Sequence, residues 1–146
     1  MPGHVFHELF VHLTWCTKDR QPLIIPDVEA LLHGFLEARC KSVPAIRLHG
    51  IGGTPDHVHL VIEYEPQVSL SGLVDDLMGA SASEVQLDNG MKAVEWQRGF
   101  GAVSFGKKNL PWVLDYVAKQ KEHHAAGTIQ PRLESTGGGA PEKSEG

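Results

Sequence analysis

The segment Pro55-Asp56-His57-Val58-His59-Leu60-Val61-Ile62 constrains the fold more than any other stretch of the chain. It is strongly β-prone, and in a strand residues two apart share a face. His57 and His59 therefore stand side by side, while Val58, Leu60 and Ile62 point the other way into a core. Such a strand requires a sheet with one apolar face and one face that accommodates two imidazoles. Two imidazoles on an open sheet face are half of a metal site. With nine histidines in the chain, roughly half a chance pair at this spacing is expected, so the pair needs support from elsewhere.

The rest of the pattern supplies the sheet. Val5 to Trp15 alternates as a strand, with Leu9, Val11, Leu13 and Trp15 on one face. Pro26-Asp27 opens a helix whose buried stripe is Val28, Leu31, Leu32, Phe35 and Leu36, ending by Pro44. Ile46 to Ile51 reads as a strand, Gly52 to Pro55 as a tight connection, and His57 to Tyr64 as its antiparallel partner. Ser69 is placed to cap a second helix with a stripe of Leu70, Leu73, Val74, Leu77 and Met78. Ala93 to Phe105 is extended but interrupted by Gly99 and Gly101, predicting a bent strand. Asn109 and Pro111 open a last helix running to about Ala126.

This order predicts an α+β chain of the ferredoxin-like, split βαβ kind. A four- to five-stranded antiparallel sheet would carry helices on one face, with the histidines on the open face and a C-terminal helix following. Residues 1–126 form the domain, and the Gly/Pro/Glu/Ser-rich residues 127–146 are expected to be a disordered tail.

Composition narrows the class. The 146 residues lack a membrane-length apolar run and a secretory pattern at the N-terminus, and Cys16 and Cys40 are too few for a disulfide framework. A cytoplasmic protein with reduced, buried cysteines is expected. Net charge is −5, and the residues before 127 hold 11 basic against 15 acidic side chains. Contact with DNA would therefore rest on local clusters: Lys18/Arg20, Lys107/Lys108 and Lys119/Lys121.

The last helix carries the other chemistry. Tyr116 and Gln120, at i and i+4, share a helical face. Of the two tyrosines, Tyr64 has the parity of Val58 and Ile62 and faces away from the histidines, so if the site needs a tyrosine nucleophile Tyr116 is the only candidate. Asp56 can orient an imidazole or serve a turn. His123 and His124 offer further ligands or a phosphate contact, and Trp15, Trp96 and Trp112 read as core before base-stacking platforms. Arg98-Gly99-Phe100-Gly101-Ala102-Val103-Ser104-Phe105 partly fits the RNA-recognition pattern, but Ala102 removes a stacking position and the segment follows the second helix.

Taken together, Phe10–Lys18, Asp56–Leu60, Trp96–Gly101 and Tyr116–His124 resemble the single-tyrosine HUH transposases of small bacterial insertion sequences, including those associated with repetitive extragenic palindromes. The resemblance spans about residues 5 to 124. It implies a homodimer that cuts and rejoins single-stranded DNA at hairpin-forming element ends, with active sites shared between subunits. It also implies Tyr116 as nucleophile, a divalent metal (Mg2+ or Mn2+) on His57, His59 and Gln120, and a nucleoid-associated role in a bacterial cytoplasm. Asp56, Lys18, Arg20, Lys107, Lys108, Lys119, His123 and His124 are the candidates for supporting the ligands or touching DNA. The chain departs from the family in its acidity and in reading Leu77-Met78-Gly79 where many relatives carry Leu-Lys-Gly. Two rival classes are a single-stranded nucleic-acid-binding module that does not cut, domesticated or RNA-recognition-like, and a rolling-circle-type nicking protein.

Overall fold

The computed structural model describes residues 5–137. Four strands, β1 (Phe10–Cys16), β2 (Ile46–Thr54), β3 (His57–Tyr64) and β4 (Gly101–Phe105), form one antiparallel sheet in the order β2-β3-β1-β4. That is the split βαβ arrangement expected from the sequence. Two helices, α1 (Pro26–Lys41) and α2 (Leu70–Glu84), cover one face. Ser69 caps α2 as expected, its hydroxyl accepting from the Gly72 amide at 3.1 Å.

Strand parity builds the core under these helices. Val11, Leu13 and Trp15 of β1 join Val58, Leu60 and Ile62 of β3 against Leu32, Leu36, Val74 and Leu77. Each large aliphatic side chain buried there contributes about 1.5–3 kcal/mol. Leu31, expected in the α1 stripe, is 55% exposed; the buried positions Val28, Leu32, Leu36 and Cys40 follow an i, i+4 row instead.

The other face, expected to be open, is covered. It carries α3 (Leu110–Ala118), α4 (Gln120–Ala126) and the single-turn α5 (Pro131–Glu134). Glycines on β2 allow the approach: a Cβ at Gly52 would stand 2.1 Å from the Val117 carbonyl oxygen. Val61, Val113, Tyr116, Val117 and Leu133 then form a second, smaller apolar cluster.

Several boundaries differ from expectation. β1 begins at Phe10, not Val5, and β2 continues through its glycines to Thr54, leaving Pro55-Asp56 as the turn. Only Gly101–Phe105 of the predicted last strand is regular, because Gly99 takes φ 100 just before it. Asn109 makes no side-chain cap. The last helix breaks at Lys119 (φ −108, ψ 30), and the Tyr116 carbonyl accepts from the Gln120 side-chain amide at 3.2 Å.

The expected disordered tail does not hold for residues 127–137. Gly127, at φ 70, ends α4, and the chain turns back so that Leu133 and Thr136 are buried. A Cβ on Gly101 would lie 1.8 Å from the Ser135 carbonyl oxygen, so β4 can accept the returning backbone only at a glycine. The remainder of that expectation, residues 138–146, lies outside the described residues. Among the described residues no helix is long and apolar enough to cross a membrane.

Candidate active site

The centre of the covered face is polar. His57 and His59 project from β3 beneath α3–α5 and are buried, at 2% and 0% exposure. His57 Nδ1 donates to Asp56 Oδ1 at 2.7 Å, and the Thr54 hydroxyl donates to the same oxygen at 3.1 Å. A ring whose Nδ1 is fixed in this way presents Nε2 to the site. His59 Nδ1 lies 2.6 Å from Nε2 of His12, a fully buried histidine on the adjacent strand.

Both Nε2 atoms converge on one carboxylate oxygen. Glu134 Oε1 lies 3.1 Å from His57 Nε2 and 3.3 Å from His59 Nε2, and His124 Nε2 reaches the same oxygen at 3.3 Å. Neither His57 Nε2 nor His59 Nε2 has hydrogen-bond alignment toward a partner. The other oxygen, Oε2, accepts a short hydrogen bond from the Tyr116 hydroxyl, which itself accepts from the Gln130 amide at 2.9 Å. Tyr116 is 2% exposed, sandwiched between the half-exposed Trp112 and the ring of His123, with centroids at 5.7 and 4.7 Å.

The electrostatics follow from this geometry. Burial disfavours a charged His57, but the carboxylates of Asp56 and Glu134 outweigh it and its pKa is raised. His59 is lowered, because its burial is only partly offset by Glu134. His12 is lowered to about 3, by burial first and then by the neighbouring His59. Burial would raise Glu134, yet His57, His59 and the Tyr116 hydroxyl hold it well below the usual carboxylate range. Tyr116 is raised by burial and by Glu134, which makes it a poorer acid while that contact lasts.

The donor set fits a divalent cation. His57, His59 and Glu134 offer ligand atoms all within 4.8 Å of one another. Neighbouring ligands of an octahedral ion at ~2.1 Å sit about 3 Å apart, close to the spacings seen between Oε1 and the two imidazoles. Gln120 Oε1 is also buried without a hydrogen-bond partner, while its side-chain amide donates to the Tyr116 carbonyl. A buried carbonyl oxygen without a donor is costly unless something else satisfies it.

The structure thus brings His57, His59, Asp56, Tyr116, Gln120, His123 and His124 into one cluster. Arg20 joins at its edge, 3.8 Å from Asp56, in a turn where Asp19 and Arg20 take φ 54 and 53. The remaining basic candidates stand apart. Lys18 and Lys119 are exposed and pair with Glu95 and Asp115. Lys107 and Lys108 follow β4, whose last residue Phe105 pairs with Phe10, at the opposite end of β1 from the Cys16–His57 pairing. Trp15 is core as expected, whereas Trp112 is 53% exposed. Phe105, from the RNA-recognition-like segment, stacks on Phe10 at 5.8 Å and packs against the second apolar cluster.

Two residues of the site escape the sequence reading. His12 has the strand parity opposite to Val11 and Leu13, so the same alternation that placed the histidine pair would have found it. Glu134 lies in a segment whose composition resembles a tail, and no local spacing ties it to β3.

The antiparallel sheet with its covering helices is a fold shared with solved transposases. A solved REP-associated tyrosine transposase bound to a REP hairpin superposes with TM-score 0.55 at 14% identity, over 88% of this chain and 76% of that one. A Deinococcus radiodurans R1 protein assigned as a transposase superposes with TM-score 0.62 at 22% identity, over 80% and 95% of the two chains. The chain belongs to the family described as Transposase IS200 like, which matches residues 5–120. ISDra2 transposase TnpA of Deinococcus radiodurans is 34% identical over 82 residues, or 55% of this chain, and the aligned part spans 56% of that relative.

Proposed function

We propose that this protein cuts and rejoins single-stranded DNA, with Tyr116 as nucleophile and a divalent cation, Mg2+ or Mn2+, held on Nε2 of His57 and His59. One observation carries the reading: a single carboxylate, Glu134, spans from the Tyr116 hydroxyl to both imidazoles. A phosphodiester has the same two-oxygen reach. A phosphate in that place would present its phosphorus to the phenol and its other oxygens to the cation site.

Attack forms the bond between Tyr116 Oη and phosphorus as the bond to the 3′ oxygen breaks. The phenol loses a proton, and the departing 3′ oxygen gains one. The product is a 5′-phosphotyrosine that keeps the phosphodiester energy, so a 3′-hydroxyl can reverse the step without a nucleotide cofactor. A bound cation would neutralise charge on the transferring phosphate and orient it. Gln120, whose side-chain oxygen is buried without a partner, or Glu134 would supply a third ligand to such a cation.

Access follows from the same contacts. Gln130 and Glu134 both bind the Tyr116 hydroxyl, so a strand reaches the nucleophile only after residues 128–137 move away. The exposed face of Trp112, stacked on Tyr116, then offers a platform for a base next to the scissile phosphate. Hairpin-forming element ends are the proposed substrate, in keeping with the hairpin on the REP-associated structure. The edge-on placement of Tyr116 over His59 of its own chain supports a site completed within one subunit of the homodimer we propose.

The test is incubation with Mn2+ and a library of hairpin-bearing single-stranded oligonucleotides, read on a denaturing gel. A covalent adduct is expected, absent in Tyr116→Phe. His57→Ala and Gln120→Ala are expected to weaken Mn2+ binding while the domain stays folded. Tight binding with no adduct across the library would instead select a non-cutting module.

A further inference from the structure

The turn ahead of α1 carries unusual backbone. Asp19 and Arg20 are the two non-glycine residues with positive φ among the described residues, and they are adjacent, at 54° and 53°. A short polar side chain tolerates the left-handed region, but an arginine gains nothing from it. Such strain persists where the surroundings over-determine it, and it clusters where a group is held for use. We propose that this turn holds the Arg20 guanidinium for a DNA phosphate next to the one under attack. The proposal rests on the single-stranded DNA reading above and adds a second grip on the strand.

The surroundings do fix the turn. The Thr17 amide donates to the Asp56 carbonyl at 2.8 Å, and the Lys18 amide to the Glu95 carbonyl at 2.9 Å. The Asp19 amide donates to Gln97 Oε1 at 3.1 Å. The Thr17 hydroxyl, on a wholly buried residue, donates to the Gln21 carbonyl at 2.6 Å. Beyond the turn, the Ile24 amide donates to the Pro55 carbonyl at 2.9 Å. The strained pair is thus pinned to two segments distant in sequence: the Pro55-Asp56 turn that leads into β3, and residues 95–97 ahead of β4. Through Asp56, the arginine is held in a set relation to His57.

The guanidinium itself is left available. Arg20 Nη1 lies 3.8 Å from Asp56 Oδ1, longer than a hydrogen bond, and its side chain is half exposed. That oxygen already accepts from His57 Nδ1 and from the Thr54 hydroxyl, so the carboxylate is committed to orienting the imidazole. Arg39 of α1 shows the contrast, since two hydrogen bonds at 2.7 and 2.9 Å lock it onto Asp76. A planar fork with unengaged N–H groups suits two oxygens of a phosphate.

Geometry chooses which phosphate. Asp56 meets the Nδ1 side of His57, whereas Glu134, which bridges to Tyr116, meets the Nε2 side. The imidazole and Asp56 therefore stand between Arg20 and the place proposed for the scissile phosphate. A strand lying there brings a neighbouring phosphate, not the scissile one, to the guanidinium. Arg20 then binds and aligns the strand without touching the bonds that change.

The experiment follows binding of a single-stranded oligothymidine by fluorescence anisotropy across a salt series. It uses the full chain carrying Tyr116→Phe, without added metal, so that nothing is cut. Each phosphate contact on a single strand contributes about −0.7 to the slope of log affinity against log salt. Adding Arg20→Gln is expected to weaken binding about 5-fold at ~0.1 M salt and to make the slope shallower by about 0.7. Arg20→Lys, which keeps the charge, is expected to keep the slope, and Arg39→Gln, with the same loss of charge, to change neither quantity. Arg20→Gly relieves the strain and is expected to raise the urea midpoint while binding as weakly as Arg20→Gln. An unchanged slope in the folded Arg20 variants overturns the proposal. With Tyr116 intact and an adduct-forming hairpin oligonucleotide, Arg20→Gln is expected to raise the half-saturating concentration and leave the saturated rate unchanged. A loss of rate that persists at saturation would put Arg20 on the scissile phosphate and overturn the assignment. If no adduct forms, the cutting reading fails while the salt slope still decides whether Arg20 holds a phosphate; absence of any binding removes both readings.

Discussion

The two faces of the sheet are made by alternate residues of the same strands and differ in kind. Under α1 and α2, Leu13, Trp15, Val58, Leu60 and Ile62 lie in one apolar cluster, where the Trp15 indole N–H is the single side-chain polar atom of these five. Under α3–α5, His12, His57 and His59 meet Tyr116, Gln120 and Glu134, and several of their polar atoms lack a hydrogen-bond partner. Dispersion and the loss of water contact hold the first face together, and neither depends on direction. The second depends on a few directed contacts, each costly when unmet. A single alternating strand thus separates what keeps the chain folded from what it does.

The largest test of that division compares one deletion on each face. Leu60→Ala, at a fully buried position, is expected to cost about 2–5 kcal/mol in urea unfolding while leaving the adduct-forming chemistry of the folded fraction intact. Tyr116→Phe keeps the ring and its stacking and loses the hydroxyl bound to Glu134, so about 1.5–3 kcal/mol is expected, with complete loss of adduct. If the two variants lose comparable stability and both retain the adduct, the faces are not divided in this way.

The two faces were also unequally legible. Period-2 alternation and helical stripes locate the apolar face because burial there is a property of each segment by itself; β3 and its partner strand, the Ser69 cap and most of the α1 and α2 stripes follow from local patterns. The polar face depends on contacts between distant segments. The histidine pair and Tyr116 were visible because strand parity and a scarcity of tyrosines single them out. The break at Lys119 was not, since neither glycine nor proline marks it. Glu134 was hidden because its position comes from Leu133 docking and from backbone passing over Gly101, not from any periodicity.

A smaller effect is expected where the tail crosses the polar face. Gly101→Ala touches none of the site's side chains, yet its Cβ would meet the Ser135 carbonyl and must displace the returning backbone. Loss of the Glu134–Tyr116 contact, a charge-assisted bond of about 1.5–3 kcal/mol, corresponds to roughly 10- to 100-fold more of the uncovered form. Adduct formation with a saturating oligonucleotide is expected to accelerate accordingly in Gly101→Ala, and likewise in a chain ending at Gly127. Faster amide exchange over 128–137 without faster adduct formation would mean that the tail covers the site without limiting it.

A last difference lies in the response to acid, and it again separates the faces. On the apolar side, burial pushes the Cys40 thiol up to about 11, so it remains neutral throughout the acid range. On the polar side, His12 falls from 6.5 to about 3. Between those values the unfolded chain binds a proton that the folded chain refuses, so stability is full above about pH 6.5 and declines as pH drops toward 3. His59 shifts in the same direction, and His57, whose pKa is raised, opposes them by losing its contribution as pH rises. One proton changes stability by no more than about 1.4 kcal/mol per pH unit. Urea midpoints measured across this range are expected to fall in the wild type and, lower but parallel, in Leu60→Ala. In His12→Gln the slope is expected to flatten, because a carboxamide does not titrate. A His12→Gln curve parallel to the wild type would place the acid sensitivity elsewhere than in the histidine that supports His59.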